Sequence, residues 1–207
     1  MVSGTLNHVT RPYKRSSPMT TTTPALTRTL LHTREIRCQG FARSDGLFEI
    51  EGRLQDLTNA ATDLPFHSVA EGGTIHDMRL VMTLDAEMVI QHIAATTAVG
   101  ASPFCAEIST AYSQLKGLKI AAGFKRNMKA IVGGAGGCTH LSELLERMAN
   151  TAMQTLFSTY RAQSSLRSAS SQKREVAVRP WVVGTCHAYR EDGDAVRLLW
   201  PEGLPKA

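Results

Sequence analysis

The chain has 207 residues, 43% hydrophobic and 20% charged, a balance that supports a folded core and excludes a disordered polymer. Its net charge of +5 invites a nucleic-acid reading, but residues 1–37 hold that whole excess, with Arg11, Lys14, Arg15, Arg28, Arg34 and Arg37 against Glu35. The remainder of the chain is neutral, so nucleic acid is a poor candidate partner.

Residues 1–32, rich in Ser, Thr and Pro, are expected to form a disordered basic tail, because they offer too little apolar surface to offset the entropy of ordering. The tail lacks the apolar stretch of a signal peptide, and no run approaches the about 18 apolar residues of a membrane helix. Cys38, Cys105, Cys138 and Cys186 include no C-x-x-C pair. Free thiols in a reducing cytoplasm are expected, in a bacterial-type protein with no membrane association.

Residues 33–203 read as a single α+β domain, an antiparallel sheet of hairpins packed against two or three helices. Ile36, Cys38 and Phe41, then Leu47, Phe48, Ile50 and Leu54, suggest two strands around Arg43-Ser44-Asp45-Gly46, whose Asp-Gly step suits a hairpin turn. A second hairpin is expected between residues 75–84 and 88–94, since Met78, Leu80, Met82 and Leu84 alternate. Ile108, Ala111, Tyr112 and Leu115 recur at helical spacing, with Gly117 as a C-terminal cap. The basic stretch Lys116, Lys119, Lys125, Arg126 and Lys129 comes next. Gly133-Gly134-Ala135-Gly136-Gly137 is then expected to be an irregular loop. Beyond it Leu141, Leu144, Leu145, Met148, Ala152 and Leu156 form one apolar stripe, the longest helix, with Thr139 as its N-cap. Residues 162–176 read as a flexible connector and 177–201 as a C-terminal hairpin around Glu191-Asp192-Gly193-Asp194.

Chemistry concentrates where the glycine loop meets that helix. A helix N-terminus presents unpaired amides and a partial positive charge, which favour a thiolate at Cys138, with His140 two residues on. Gly136 and Gly137 would let an anion approach the backbone. Lys125 and Arg126 would hold the phosphates of a ligand such as a coenzyme A thioester, or form a solvated helix face. On its strand, His76 shares the inward face of Met78, where a polar ring needs a partner, while the adjacent Asp77 faces away. Cys105, at the start of the middle helix, is a second thiol at a helix end. His76, Cys105, Cys138 and His140 could together hold zinc or iron, either four-coordinate or with one position open. Cys186 and His187 face opposite ways on a late strand and read as a buried thiol and a surface imidazole. No Walker, G-x-S-x-G or H-E-x-x-H pattern occurs.

Several strings together resemble a bacterial family catalogued only as a domain of unknown function, over roughly residues 34–203: Gly40-Phe41-Ala42-Arg43-Ser44-Asp45-Gly46-Leu47 with Ile50-Glu51-Gly52, His76-Asp77-Met78, Gly137-Cys138-Thr139-His140-Leu141 with Glu143-Leu144-Leu145, and Thr185-Cys186-His187-Ala188. That resemblance implies a setting in aromatic or acyl catabolism. The order of strands, Cys105, Leu115-Lys116-Gly117-Leu118-Lys119 and Cys138 is also similar to iron–sulfur scaffold proteins of the NifU type. Those use three cysteines and a further acid or histidine, so Cys105 and Cys138 would match two ligands and His76 would replace a third.

The expected function is a small cytoplasmic enzyme with a Cys/His site, with or without a metal, acting on a small carbonyl or acyl-thioester substrate. Cys138, His140 and His76 are its candidate catalytic residues. The alternatives are a metal or iron–sulfur carrier without turnover, and a non-catalytic partner protein docking through its basic tail. The expected ligand is small and anionic or a thioester, and the expected assembly a homodimer.

Overall fold

The computed structural model describes residues 26–168 and 182–204. Four long strands, β1 (His32–Ala42), β2 (Phe48–Thr58), β5 (Thr74–Leu84) and β6 (Ile90–Val99), form one antiparallel sheet in the order β1-β2-β5-β6, and the short β3 (Thr62–Asp63) and β4 (Ser68–Val69) pair separately. A 3-10 helix comes next at Pro103–Leu115, then α1 (Phe124–Val132), α2 (Thr139–Ser168) and α3 (Asp194–Leu199). The expected α+β architecture is thus present, with both long hairpins where alternation places them.

Local chemistry explains the turns. Gly46 takes φ 85°, and Asp45 accepts the Leu47 amide. This is the left-handed step an Asp-Gly pair supplies between β1 and β2. In the next hairpin Asp85 accepts the amides of Glu87 and Val89, which lets Met88 adopt φ 66°. Ser102 caps the 3-10 helix by accepting the Phe104 amide, with Pro103 first inside it.

The inward face of the sheet carries Ile50, Leu54, Met78, Leu80, Met82 and Leu84, and α2 covers it with Leu141, Leu144, Leu145 and Met148. Each such side chain, fully buried, contributes about 1.5–3 kcal/mol. Two glycines set the distance of approach: a Cβ at Gly52 would strike Met148, and one at Gly40 would strike Thr155. Tyr112 and Leu115 of the 3-10 helix and Met128 and Val132 of α1 close the core.

Several expectations are corrected. Residues 162–168 are not a connector, because α2 runs through Ser168. The C-terminal hairpin is absent from the described residues, where 182–192 form turns and 194–199 a helix. Asp194 in its first turn and Arg197 in its last suit the helix dipole, which period-two reading overlooks. The glycine loop contains a regular 3-10 turn, Gly134–Gly136. Thr139 is the first residue of α2 rather than its cap. Cys138 stands before it, and its carbonyl accepts the Ser142 amide. Most of the expected tail lies outside the described residues, as do 169–181; residues 26–31 are exposed without regular structure, and β1 already begins at His32.

Candidate functional site

Three antiparallel strands bring the site's polar row together by register alone. Arg34 pairs across β1–β2 with Asp56, and Asp56 pairs across β2–β5 with His76. Cross-strand partners share a face, so a basic, an acidic and an imidazole side chain line up at one end of the sheet. A bulge comes directly after Asp56 in its pairing with β5.

Asp56 is the centre of this row and is 1% exposed. Its Oδ1 accepts from Arg34 Nε at 2.7 Å and lies 3.1 Å from His32 Nε2; its Oδ2 accepts from Arg34 Nη2 at 2.7 Å and lies 2.8 Å from His76 Nδ1. Burial works against its charge, but the bonds from Arg34, His32 and His76 prevail and hold the carboxyl at about 2. Arg34 also donates to Glu143 of α2 at 2.8 Å, tying the sheet to the helix.

From α2, His140 stacks on His76 with ring centroids 3.9 Å apart. Its Nε2 lies 3.8 Å from Asp56 Oδ2 and its Nδ1 4.0 Å from Cys138 Sγ. Burial, then the neighbouring His76 and Arg34, lower its proton affinity below the usual imidazole range. The chain of contacts therefore runs Cys138, His140, Asp56, with His76 beside it.

The backbone of Cys138 is held from below by Tyr112, whose hydroxyl donates to the Cys138 carbonyl at 2.8 Å and accepts the Cys138 amide at 3.1 Å. Burial pushes this phenol up, so it stays a neutral donor. Gly137 cannot carry a side chain, because a Cβ there would run into the Val132 carbonyl. The Cys138 backbone is therefore held in place directly before α2.

A cavity of about 620 Å³ opens on these groups, bordered by His76, Phe104, Cys105, Gly137, Cys138 and His140 among others. All four residues expected to share a site, His76, Cys105, Cys138 and His140, thus line one cavity. The donors grouped within 4.8 Å of one another are a different set, Asp56, His76 and His140. Gly136 does not border the cavity, and neither do Lys125 and Arg126. Lys125 pairs with Glu146 at 2.8 Å and Arg126 is exposed on α1. Among the described residues no Lys or Arg lines this cavity, so a coenzyme A phosphate finds no cationic partner from them in it. Cys186 and His187 are both exposed and lie in turns, not on a strand.

Sequence reasoning missed Asp56, Arg34 and Tyr112. The parity that selected His76 applies to Asp56 as well, since it shares the face of Ile50 and Leu54 on β2. An inward carboxylate on an alternating strand is the signal that could have found it.

Among the described residues no helix is long and apolar enough to cross a membrane. A family model described as "Protein of unknown function (DUF2889)" matches residues 32–154, a span that includes every residue of the site. Comparison with curated proteins and with solved structures gives no match.

Proposed function

The chain belongs to the family of that model, and from the site itself we propose that it is a thiol-dependent enzyme acting on a small carbonyl or acyl-thioester substrate. The observation that carries this reading is the run Cys138 Sγ, His140 and Asp56, with contacts of 4.0 and 3.8 Å, at the N-terminus of a 30-residue helix beside an open cavity. Catalytic contacts of this kind are long without substrate and shorten with it.

In the proposed reaction His140 Nδ1 takes the Cys138 proton while its Nε2–H faces Asp56. The sulfur attacks the carbonyl carbon, and the C=O electron pair moves to oxygen. The amides of Thr139, His140 and Leu141 have no acceptor within α2, so they are available to the developing oxyanion. Collapse expels the leaving thiolate, which takes the proton back from His140 and leaves the acyl group on Cys138. Water or another acceptor then releases it. His76, its Nδ1 held by Asp56, keeps Nε2 free to relay a proton in that step.

The test is an acyl adduct. Incubated with acetyl-N-acetylcysteamine, the protein should gain one acetyl group on Cys138 by mass spectrometry and release thiol catalytically, and Cys138→Ser should lose about 100-fold or more in turnover. Full activity in Cys138→Ser would overturn the reading. A second reading, a metal or iron–sulfur carrier, is favoured by Cys105 and Cys138 lining the same cavity. It requires metal in protein purified without an affinity tag, lost in Cys138→Ala and delivered to an acceptor protein.

A further inference from the structure

We propose that Asp56, His76 and His140 form a reversible zinc site, and that zinc bound there switches the Cys138 thiol off. The donors are one carboxylate and two imidazoles, all within 4.8 Å of one another. A tetrahedral ion with bonds of about 2.0–2.1 Å holds its ligand atoms roughly 3.3 Å apart. His76 Nδ1 and His140 Nε2 lie 2.8 and 3.8 Å from the same Asp56 oxygen, distances on either side of that spacing. Small rotations of the stacked rings would equalise them.

Both histidines line the cavity, so a fourth position open to it would complete a site with three protein ligands and one exchangeable one. The ligand shell is supported in advance: Arg34 bonds both oxygens of Asp56 and His32 lies within hydrogen-bond reach of Oδ1, so the ion would take the Oδ2 lone pair that now faces His76 Nδ1. Arg34 also opposes a second cation beside the carboxylate. The site therefore suits an exchangeable ion better than a resident one.

The effect on the thiol arises from the two nitrogens of one ring. His140 can take the Cys138 proton at Nδ1 only while its Nε2 carries hydrogen. With zinc on Nε2 the neutral ring carries its hydrogen on Nδ1, facing the sulfur, and has no lone pair left to accept a proton. At His76 the Nδ1 proton moves to Nε2, so no net proton is lost.

The zinc site stands on its own geometry; only the switching half rests on the thiol reading. Metal-free protein titrated with zinc sulfate alone should bind one ion per chain by calorimetry. His76→Ala and His140→Gln, each checked for fold by circular dichroism, should bind about ten-fold or more weakly, and Cys138→Ser should bind as the unaltered chain does. Alkylation of Cys138 by iodoacetamide should slow about ten-fold with zinc and recover with chelator. No binding by the unaltered chain, or binding lost in Cys138→Ser and kept in both histidine variants, overturns the site. Binding with unchanged alkylation overturns the switch. Failure of acyl transfer leaves the zinc titration as it is.

Discussion

His140 meets a thiol through one nitrogen and a buried carboxylate through the other, and its position decides the pH range in which the thiol can work. Burial, then the proximity of His76 and Arg34, keep its proton affinity below the usual imidazole range, near 6.5. The neutral, proton-accepting form therefore persists to lower pH than in a free imidazole. In chelator-treated protein the acid limb of turnover against pH should lie below 6.5; a limb at or above that value contradicts the assignment of His140 as base. At this scale the sequence was half legible. The thiol and both imidazoles were visible because their residue types are rare and chemically distinctive. Asp56 and Arg34 were not, because charged residues on strands are common and only their inward parity marks them. Tyr112 was visible as an apolar member of a helix, and its hydroxyl bonds to Cys138, 26 residues away, could not be read from spacing.

Among the elements, the start of α2 is the most constrained, and the glycines before it differ sharply in role. At Gly137 an added Cβ would collide with the Val132 backbone, while at Gly136 it would meet only the Ile131 carbonyl at 3.9 Å. Gly137→Ala should cost about 2 kcal/mol, lowering Tm by roughly 4–8 °C, and should reduce turnover by displacing Cys138. Gly136→Ala should change neither by much, and equal effects of the two in calorimetry would refute this distinction. Strands and the long helix were legible because their periods persist over many residues. The last segment was not: Val196, Leu198 and Trp200 alternate as a strand would, yet residues 194–199 wind into a helix with only Val196 buried. So short a run does not separate the two periods.

For the molecule as a whole, acid is the revealing perturbation. Both Asp56 and His140 have folded-state proton affinities below their ordinary values. Each therefore contributes stability that is complete above its unfolded pKa and is lost as pH falls through its folded one. The His140 contribution should begin to fade below about 6.5, and that of Asp56 between about 4 and 2. Tm measured from pH 7 to pH 2 should fall in these two ranges, and Asp56→Asn should be less stable at neutral pH but show a smaller lower decline, the remainder staying with Asp77, whose carboxyl Arg53 also holds below its ordinary range. A lower decline that survives undiminished in Asp56→Asn would assign acid sensitivity elsewhere. The overall architecture was legible because hairpin turns and alternation are local, whereas the meeting of β1, β2, β5 and α2 at one carboxylate depends on strand order, which no short-range pattern encodes.

That carboxylate also proofreads the alignment of the sheet. Side chains along a strand change sides at every residue, so a slip of β1 by a single position would swing Arg34 to solvent along with Ile36 and Cys38, and abandon a negative charge in the interior. Apolar residues alone tolerate a two-residue slip that keeps the same side inward; a buried acid matched to the guanidinium opposite it does not. Mispaired forms of the sheet thus carry an electrostatic penalty that the native alignment escapes, and the residues suited to chemistry double as the check that the strands were matched correctly while the chain folded.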